Sequence, residues 1–170
     1  MIPRLPVLGL LATALGLAGC SHYQLGTGTA PAFATLYVAP VANHTLLPQA
    51  QAIVSTQLRT AFTNDGRLTL ANSAAEADAT LTVIINDYHR EVAAAREDDT
   101  GLARKFILTL GTTCTLRDNR SGQVLFSDRP VTVRRDAYTD SGQLQSEYQT
   151  LPLLAETLAQ KIAHTVLDTW

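Results

Sequence analysis

The chain has 170 residues, with 13 basic and 15 acidic side chains and a formal net charge of −2. This length favours one domain with a core large enough to fold without disulfides. The charge balance argues against a nucleic-acid partner, because such proteins neutralise phosphates with an excess of basic residues, and the 46% hydrophobic content excludes a disordered tail.

The first 19 residues are predicted to be a lipoprotein signal peptide. One basic residue, Arg4, precedes an apolar run of 13 residues over 5–17, which is shorter than the roughly 20 residues of a membrane-spanning helix. The tetrapeptide LAGC at 17–20 resembles the bacterial lipobox, in which the cysteine thiol is joined to diacylglycerol and the preceding bond is cut. We therefore expect a mature chain that begins at a lipidated Cys20 and is anchored through its acyl chains.

The residues that follow predict a tether and then one domain. Residues 20–31 are rich in Gly, Thr and Ala and have no hydrophobic period, and residues 32–170 are expected to fold as a single domain. Ser21 directly after the cysteine is similar to the sorting signal for the outer membrane of diderm bacteria. With Cys20 acylated, Cys114 has no cysteine partner, and its place on an apolar strand face favours a buried small hydrophobe over a catalytic thiol.

Hydrophobic periodicity predicts two helices and several strands. A first strand over 33–41 is followed by a helix over 49–63, a short strand over 67–71 and a long strand over 80–92. After a charged segment come a strand over 106–116, a polar turn at 117–122 and a strand over 123–127. Residues 131–138 are either one more strand or an irregular extension of that hairpin, and a second helix covers 151–169.

Two helices with one apolar stripe each can cover only one face of a sheet. We therefore expect an α+β fold in two layers, with both helices packed on one face of a four- to five-stranded mixed sheet. The other face of the sheet must meet water or a partner.

No catalytic motif is present in the sequence, which lacks a nucleophile elbow, a phosphate-binding loop, an H-E-x-x-H helix and paired metal-binding cysteines. Asp87 and His89 share a strand face, but two ligands do not make a zinc site. Tyr88 beside them is expected to pack rather than to transfer protons. We predict a non-enzymatic protein without a metal or cofactor, apart from the covalent lipid.

Basic residues are concentrated in one segment. Residues 90–135 hold nine basic and six acidic side chains, whereas the rest of the mature chain holds three basic and nine acidic ones. Eight of the nine basic residues are arginines, and one guanidinium can donate two parallel hydrogen bonds to a phosphate or a carboxylate. The pattern indicates an anionic ligand, for which we select Arg104, Lys105, Arg134 and Arg135; a solvated rim is the alternative interpretation.

Threonines follow one face of two predicted strands, opposite the apolar face. Thr is common in strands in any case. An uncharged face is also less costly to desolvate against another protein than a face of Lys and Glu. We therefore predict a partner-contact face that contains five threonines: Thr80, Thr82, Thr109, Thr113 and Thr115.

Five segments of the chain carry a further signal through their order and spacing. They are the predicted lipidated Cys20 with YQLG at 23–26, VAPVANHT at 38–45, EADATL at 76–81, LRDNRSG at 116–122 and the terminal helix that ends in Trp170. Together these segments resemble the LptE family of lipopolysaccharide-assembly lipoproteins. Such a resemblance implies a two-helix domain that plugs the large β-barrel LptD, helps that barrel to assemble and contacts lipopolysaccharide at the outer membrane.

Small α+β lipoproteins also serve in other envelope machines. One alternative is therefore an activator of a cell-wall synthase, and another is an accessory subunit of an envelope transporter. The identity of the partner separates these functions from lipopolysaccharide assembly.

Overall fold

A computed structural model describes residues 32–95, 103–138 and 143–168, apart from the side chains of 94, 95, 103, 104, 143 and 144. The predicted signal peptide, Cys20, the tether and Trp170 lie outside the described residues. The described chain forms six strands and two α-helices, with one turn of 3-10 helix at Ala74–Glu76. The elements are β1 Thr35–Val38, β2 Ala42–Asn43, α1 Ala50–Asp65, β3 Thr69–Leu70, β4 Ala79–Ala95, β5 Ala103–Asp118, β6 Val124–Tyr138 and α2 Gln143–Leu167.

The strands form one mixed sheet in the order β3-β1-β4-β5-β6, in which β2 also pairs with β4. β1, β2 and β3 run parallel to their neighbours, whereas β4, β5 and β6 form an antiparallel meander. The predicted α+β architecture is confirmed, with six strands instead of the four or five expected. The predicted first strand over 33–41 ends at Val38, before Ala39 and Pro40, and β2 at Ala42–Asn43 lies beyond its predicted end.

The first helix lies close to its predicted position. Its buried residues Ala50, Val54, Leu58 and Phe62 recur at the helical spacing and pack in the core. The helix ends where Gly66 adopts a left-handed conformation with φ 72°, which a glycine reaches without a side-chain clash.

The second helix begins eight residues before the predicted start. Pro152 lies inside it, although proline is best tolerated in the first turn of a helix. Contacts with distant strands hold the additional turns: Ser146 Oγ donates to the carbonyl of Tyr138, and Glu147 accepts from Tyr88. Neither described helix is long and apolar enough to cross a membrane.

β6 is one continuous strand with a bulge, which decides between the two interpretations of residues 131–138. The register with β5 shifts between Cys114 and Leu116, where Asp128 adopts φ 49° and its N–H donates to Thr115 Oγ1 at 3.2 Å. α2 partly covers the outer edge of this strand. Lys161 Nζ donates to the carbonyl of Thr132 at 3.0 Å, and Ser146 Oγ donates to the carbonyl of Tyr138 at the end of the strand.

Candidate functional site

The sheet face opposite the helices has two zones along the strands. Near the start of β4, cross-strand pairs join Thr82 with Thr115 and Ile84 with Thr113. We call these four residues the uncharged band. Thr82 is exposed and the other three are partly buried, and the band continues to Thr80, whose hydroxyl lies 3.0 Å from the side-chain oxygen of Asn119. Four of the five predicted partner-contact threonines therefore lie together on this face.

Thr109 occupies a different environment. It lies on the same face of β5 but is 1% exposed, and its register partners are His89 on β4 and Arg134 on β6. Its hydroxyl is buried and has no hydrogen-bond partner among the described residues. The sequence pattern located Thr109 on the correct face, but it did not reveal the charged neighbours that enclose it.

The predicted anion ligands lie farther along the strands than the uncharged band. Arg104 belongs to β5, but its side chain is outside the described part of the structure. Lys105 pairs with Asp136 at 2.8 Å, and its ammonium lies 5.8 Å from the ring centroid of Tyr138. The hydrogen bond to Asp136 raises the pKa of Lys105 above its ordinary value. The charge of Lys105 is therefore largely offset by Asp136.

Arg134 and Arg135 are both exposed, but they lie on opposite faces of β6. Arg134 is in register with Thr109 and Arg135 with buried Leu108. Because β6 is the edge strand, both arginines reach one open depression at the edge of the sheet, which they line with Ile107, Asp136 and Tyr138. Neither arginine has an ion pair with a described residue, so both remain available to an anion.

A carboxylate–imidazole–carboxylate row on β4 borders the buried Thr109. His89 Nδ1 lies 3.0 Å from Asp87 Oδ1, and its Nε2 lies 3.3 Å from Glu91 Oε1. Gly111 on β5 leaves room for this row, because a Cβ there would stand 3.0 Å from the Cβ of Asp87. The sequence suggested that Asp87 and His89 share a face, but not that Glu91 and Gly111 complete the arrangement.

The ion pairs predict an elevated pKa for His89. The hydrogen bond that His89 donates to Asp87 is the main cause of the raised pKa, and both carboxylates favour the charged ring, whereas burial opposes it. The pairing therefore stabilises the fold fully below the ordinary histidine pKa of about 6.5, and this contribution is lost as the pH rises through the higher folded-state value. We expect an NMR titration to give a midpoint above 6.5, and Asp87→Asn to lower that midpoint more than Glu91→Gln. A midpoint at or below the ordinary value would contradict these contacts.

Cys114 and Tyr88 have side chains that could be reactive, but their surroundings in the core favour a structural role. Cys114 is fully buried, and burial raises the pKa of its thiol to about 11, which keeps it protonated at neutral pH. Burial and the hydrogen bond to Glu147 also raise the pKa of Tyr88 above its ordinary value. Glu147 additionally binds Arg90 at 3.1 Å, so these three residues fasten α2 to β4. The described residues include no group of three or more His, Cys, Asp or Glu that could hold a metal.

Comparison with known proteins identifies a family. A family model described as LptE, lipopolysaccharide-assembly, matches residues 33–166. No curated protein matches the chain.

Several solved structures share the fold at low sequence identity. A minor lipoprotein from Acinetobacter baumannii is 19% identical, with a TM-score of 0.51 over 78% of this chain and 91% of that chain. A Xanthomonas campestris protein of the DUF330 family is 15% identical, with a TM-score of 0.59 over 82% and 88%. Uncharacterized lipoprotein B from Nitrosomonas europaea is 14% identical, with a TM-score of 0.52 over 86% and 88%. These similarities establish the fold alone.

Proposed function

The chain belongs to the LptE family of lipopolysaccharide-assembly proteins, and from this membership we propose that it is the lipoprotein subunit of the lipopolysaccharide translocon in the outer membrane. In this role it plugs an LptD-type β-barrel, helps the barrel to assemble and contacts lipopolysaccharide. The family match over residues 33–166 is the observation that carries the proposal.

The uncharged band supports a role as a plug. Thr82, Ile84, Thr113 and Thr115 form a contiguous surface without a formal charge on a sheet face that no described helix covers. Docking such a surface against a barrel wall desolvates hydroxyl and methyl groups, which costs much less than the burial of unpaired charges. We therefore assign this band, with Thr80 at its end, to contact with the barrel.

The depression at the β6 edge supports contact with lipopolysaccharide, which carries several phosphate groups. Arg134 and Arg135 are the cations on its rim that have no ion pair with a described residue, and a guanidinium can donate two parallel hydrogen bonds to one phosphate. Arg104 and Lys105 remain proposed ligands nearby. For Lys105, a phosphate has to compete with Asp136.

The first residues of the described body and the proposed anion site lie toward opposite ends of the sheet. The described body begins beside Asp78, whose carboxylate accepts from the N–H groups of Ala34 and Thr35 at 2.9 and 3.0 Å. Arg134 is level with His89 on β4, about 35 Å farther along the strand at about 3.3 Å per residue.

Charge reversal tests the anion site. We expect the double variant Arg134→Glu, Arg135→Glu to bind purified lipopolysaccharide at least about tenfold more weakly, since each lost charge-assisted contact contributes on the order of 1.5–3 kcal/mol. Because both side chains are exposed, the thermal unfolding midpoint should stay close to that of the unchanged protein. Arg59→Glu on the exposed side of α1 is the control. Equal binding by the double variant and the control would exclude this site.

The partner recovered with the chain after detergent extraction tests the function as a whole. A large β-barrel supports the proposal. A cell-wall synthase or the components of an envelope transporter would support the alternative functions instead.

A further inference from the structure

The edge of β4 beyond Ile85 is not paired with any described strand. β1 pairs with β4 at Ala79–Leu81, and β2 pairs with it only at Ile84 and Ile85. The chain then turns away after His44, whose N–H donates to the carbonyl of Ile85 at 2.8 Å. From residue 86 to residue 92, β4 therefore has β5 on one side and no described element of the sheet on the other.

A local turn keeps this edge open. Asn43 Oδ1 accepts from the N–H and the hydroxyl of Thr45 at 3.0 and 2.8 Å, and its amide donates to the carbonyl of Leu47 at 2.8 Å. These bonds form an Asx-type turn that directs the chain away from the sheet and into α1. Main-chain groups of alternate β4 residues consequently face the open side.

The other long edge of the sheet is protected. On β6, side chains of α2 bind the carbonyls of Thr132 and Tyr138, and the strand also contains Pro130 and a bulge. Such features are the usual means by which proteins keep edge strands from pairing. The β4 edge has a register shift near residue 86 and charged side chains, but no described strand continues beside it past β2.

A cleft lies on the helix side of the sheet near this edge. α1 begins at Ala50, close to the level of Ile85, so only the first turns of α2 approach β4 farther along, where Glu147 binds Tyr88 and Arg90. The resulting gap is a cleft of about 190 Å³ that is lined by Leu47, Gln49, Glu147, Tyr148 and Leu151. Two large apolar side chains in this region are exposed: Tyr148 of the cleft wall is 64% exposed, and Leu46, which precedes Leu47 in the chain, is 102% exposed.

A segment that binds along this edge needs different side chains on its two faces. On the outer face, Asp87 and Glu91 both pair with His89. The three side chains together therefore keep a net charge of −1 even when His89 is protonated. On the helix face, the cleft offers the apolar side chains of Leu47, Tyr148 and Leu151, beside the polar Gln49 and Glu147. Successive residues of an extended chain point to opposite faces, so one strand can satisfy both requirements. The open edge also lies close to the uncharged band, because Ile84 of that band is two residues before Asn86 on β4.

We propose that the edge of β4 from Asn86 to Val92 receives an extended segment of the partner subunit, which adds a strand to the sheet, places an apolar side chain in the cleft and sets a basic side chain beside Asp87 and Glu91. Main-chain hydrogen bonds supply the affinity in this mode of recognition, and the alternating side chains supply the specificity. The inference rests on the proposed function, because the partner subunit is the source of the segment.

Hydrogen exchange of the detergent-extracted complex tests the added strand. We expect alternate amides within residues 86–92 to exchange at least about tenfold more slowly in the complex than in the free lipidated chain, while the amides bonded to β5 change little. A barrel complex in which these amides exchange as in the free chain would overturn the added strand and leave the proposed function intact. Failure to recover any barrel would overturn both.

A matched pair of helix variants tests the cleft. Tyr148→Asp places a charge in the cleft wall, whereas Leu153→Asp places one at a similarly exposed position of α2 that does not line the cleft. With circular dichroism confirming that both fold, we expect Tyr148→Asp to lower recovery of the barrel at least about tenfold and Leu153→Asp by less than about twofold. Equal recovery with the two variants would overturn the assignment of the cleft.

Discussion

Replacement of Cys20 by alanine, in a chain produced in large excess over its barrel partner and behind a signal peptide that is cleaved without lipidation, is expected to move most of the chain from the membrane fraction to the soluble periplasmic fraction. Each buried acyl methylene contributes about 0.8 kcal/mol to membrane binding, so several chains anchor a protein firmly and their loss leaves almost no affinity.

Fractionation by ultracentrifugation, followed by mass spectrometry of the mature amino terminus, measures this outcome. Ser21→Ala is the matched control, since it changes the neighbouring residue and retains the thiol. An unchanged membrane fraction for Cys20→Ala, or a bare Cys20 in the mature chain, would contradict the predicted lipid anchor.

Truncation of Leu158 should destabilise the domain by about 2–5 kcal/mol, the usual range for Leu→Ala changes in a well-packed core. Leu158 is fully buried at the centre of α2, where the helix layer meets the sheet. Total stabilities of single domains are about 5–15 kcal/mol, so this one change removes a large part of the stability.

Urea unfolding provides the measurement, and Leu153→Ala is the control on the same helix. Leu153 is 43% exposed, so its truncation leaves no enclosed cavity and should cost less than about 1 kcal/mol. Equal losses for the two variants would mean that α2 does not pack on the sheet through the face that contains Leu158.

The layer architecture could be predicted because it depends on local periodicity. The apolar stripe of α2, including Leu154, Ile162 and Val166, repeats at the helical spacing and is buried throughout. The alternation of β5 likewise predicted that Cys114 faces the core. In both elements, burial of one apolar face decides the structure, and the sequence alone shows that face.

Features that depend on distant contacts could not be predicted in this way. The early start of α2 requires Ser146 and Glu147 to meet β6 and β4, and no local pattern indicates those contacts. The burial of Thr109 follows from the register that sets His89 and Arg134 beside it. The division of Arg134 and Arg135 between two faces does follow from strand alternation, but only once residues 131–138 are known to be a regular strand.

The proposal that this chain works as the lipoprotein subunit of a lipopolysaccharide-exporting barrel is tested most directly by its partner in the membrane. Affinity purification of the tagged full-length chain from detergent-extracted envelopes, followed by quantitative mass spectrometry, identifies that partner. We predict a large outer-membrane β-barrel in roughly equimolar amount, together with lipopolysaccharide. Recovery of the chain with periplasmic enzymes or a cell-wall synthase, and without any barrel, would contradict the proposed function.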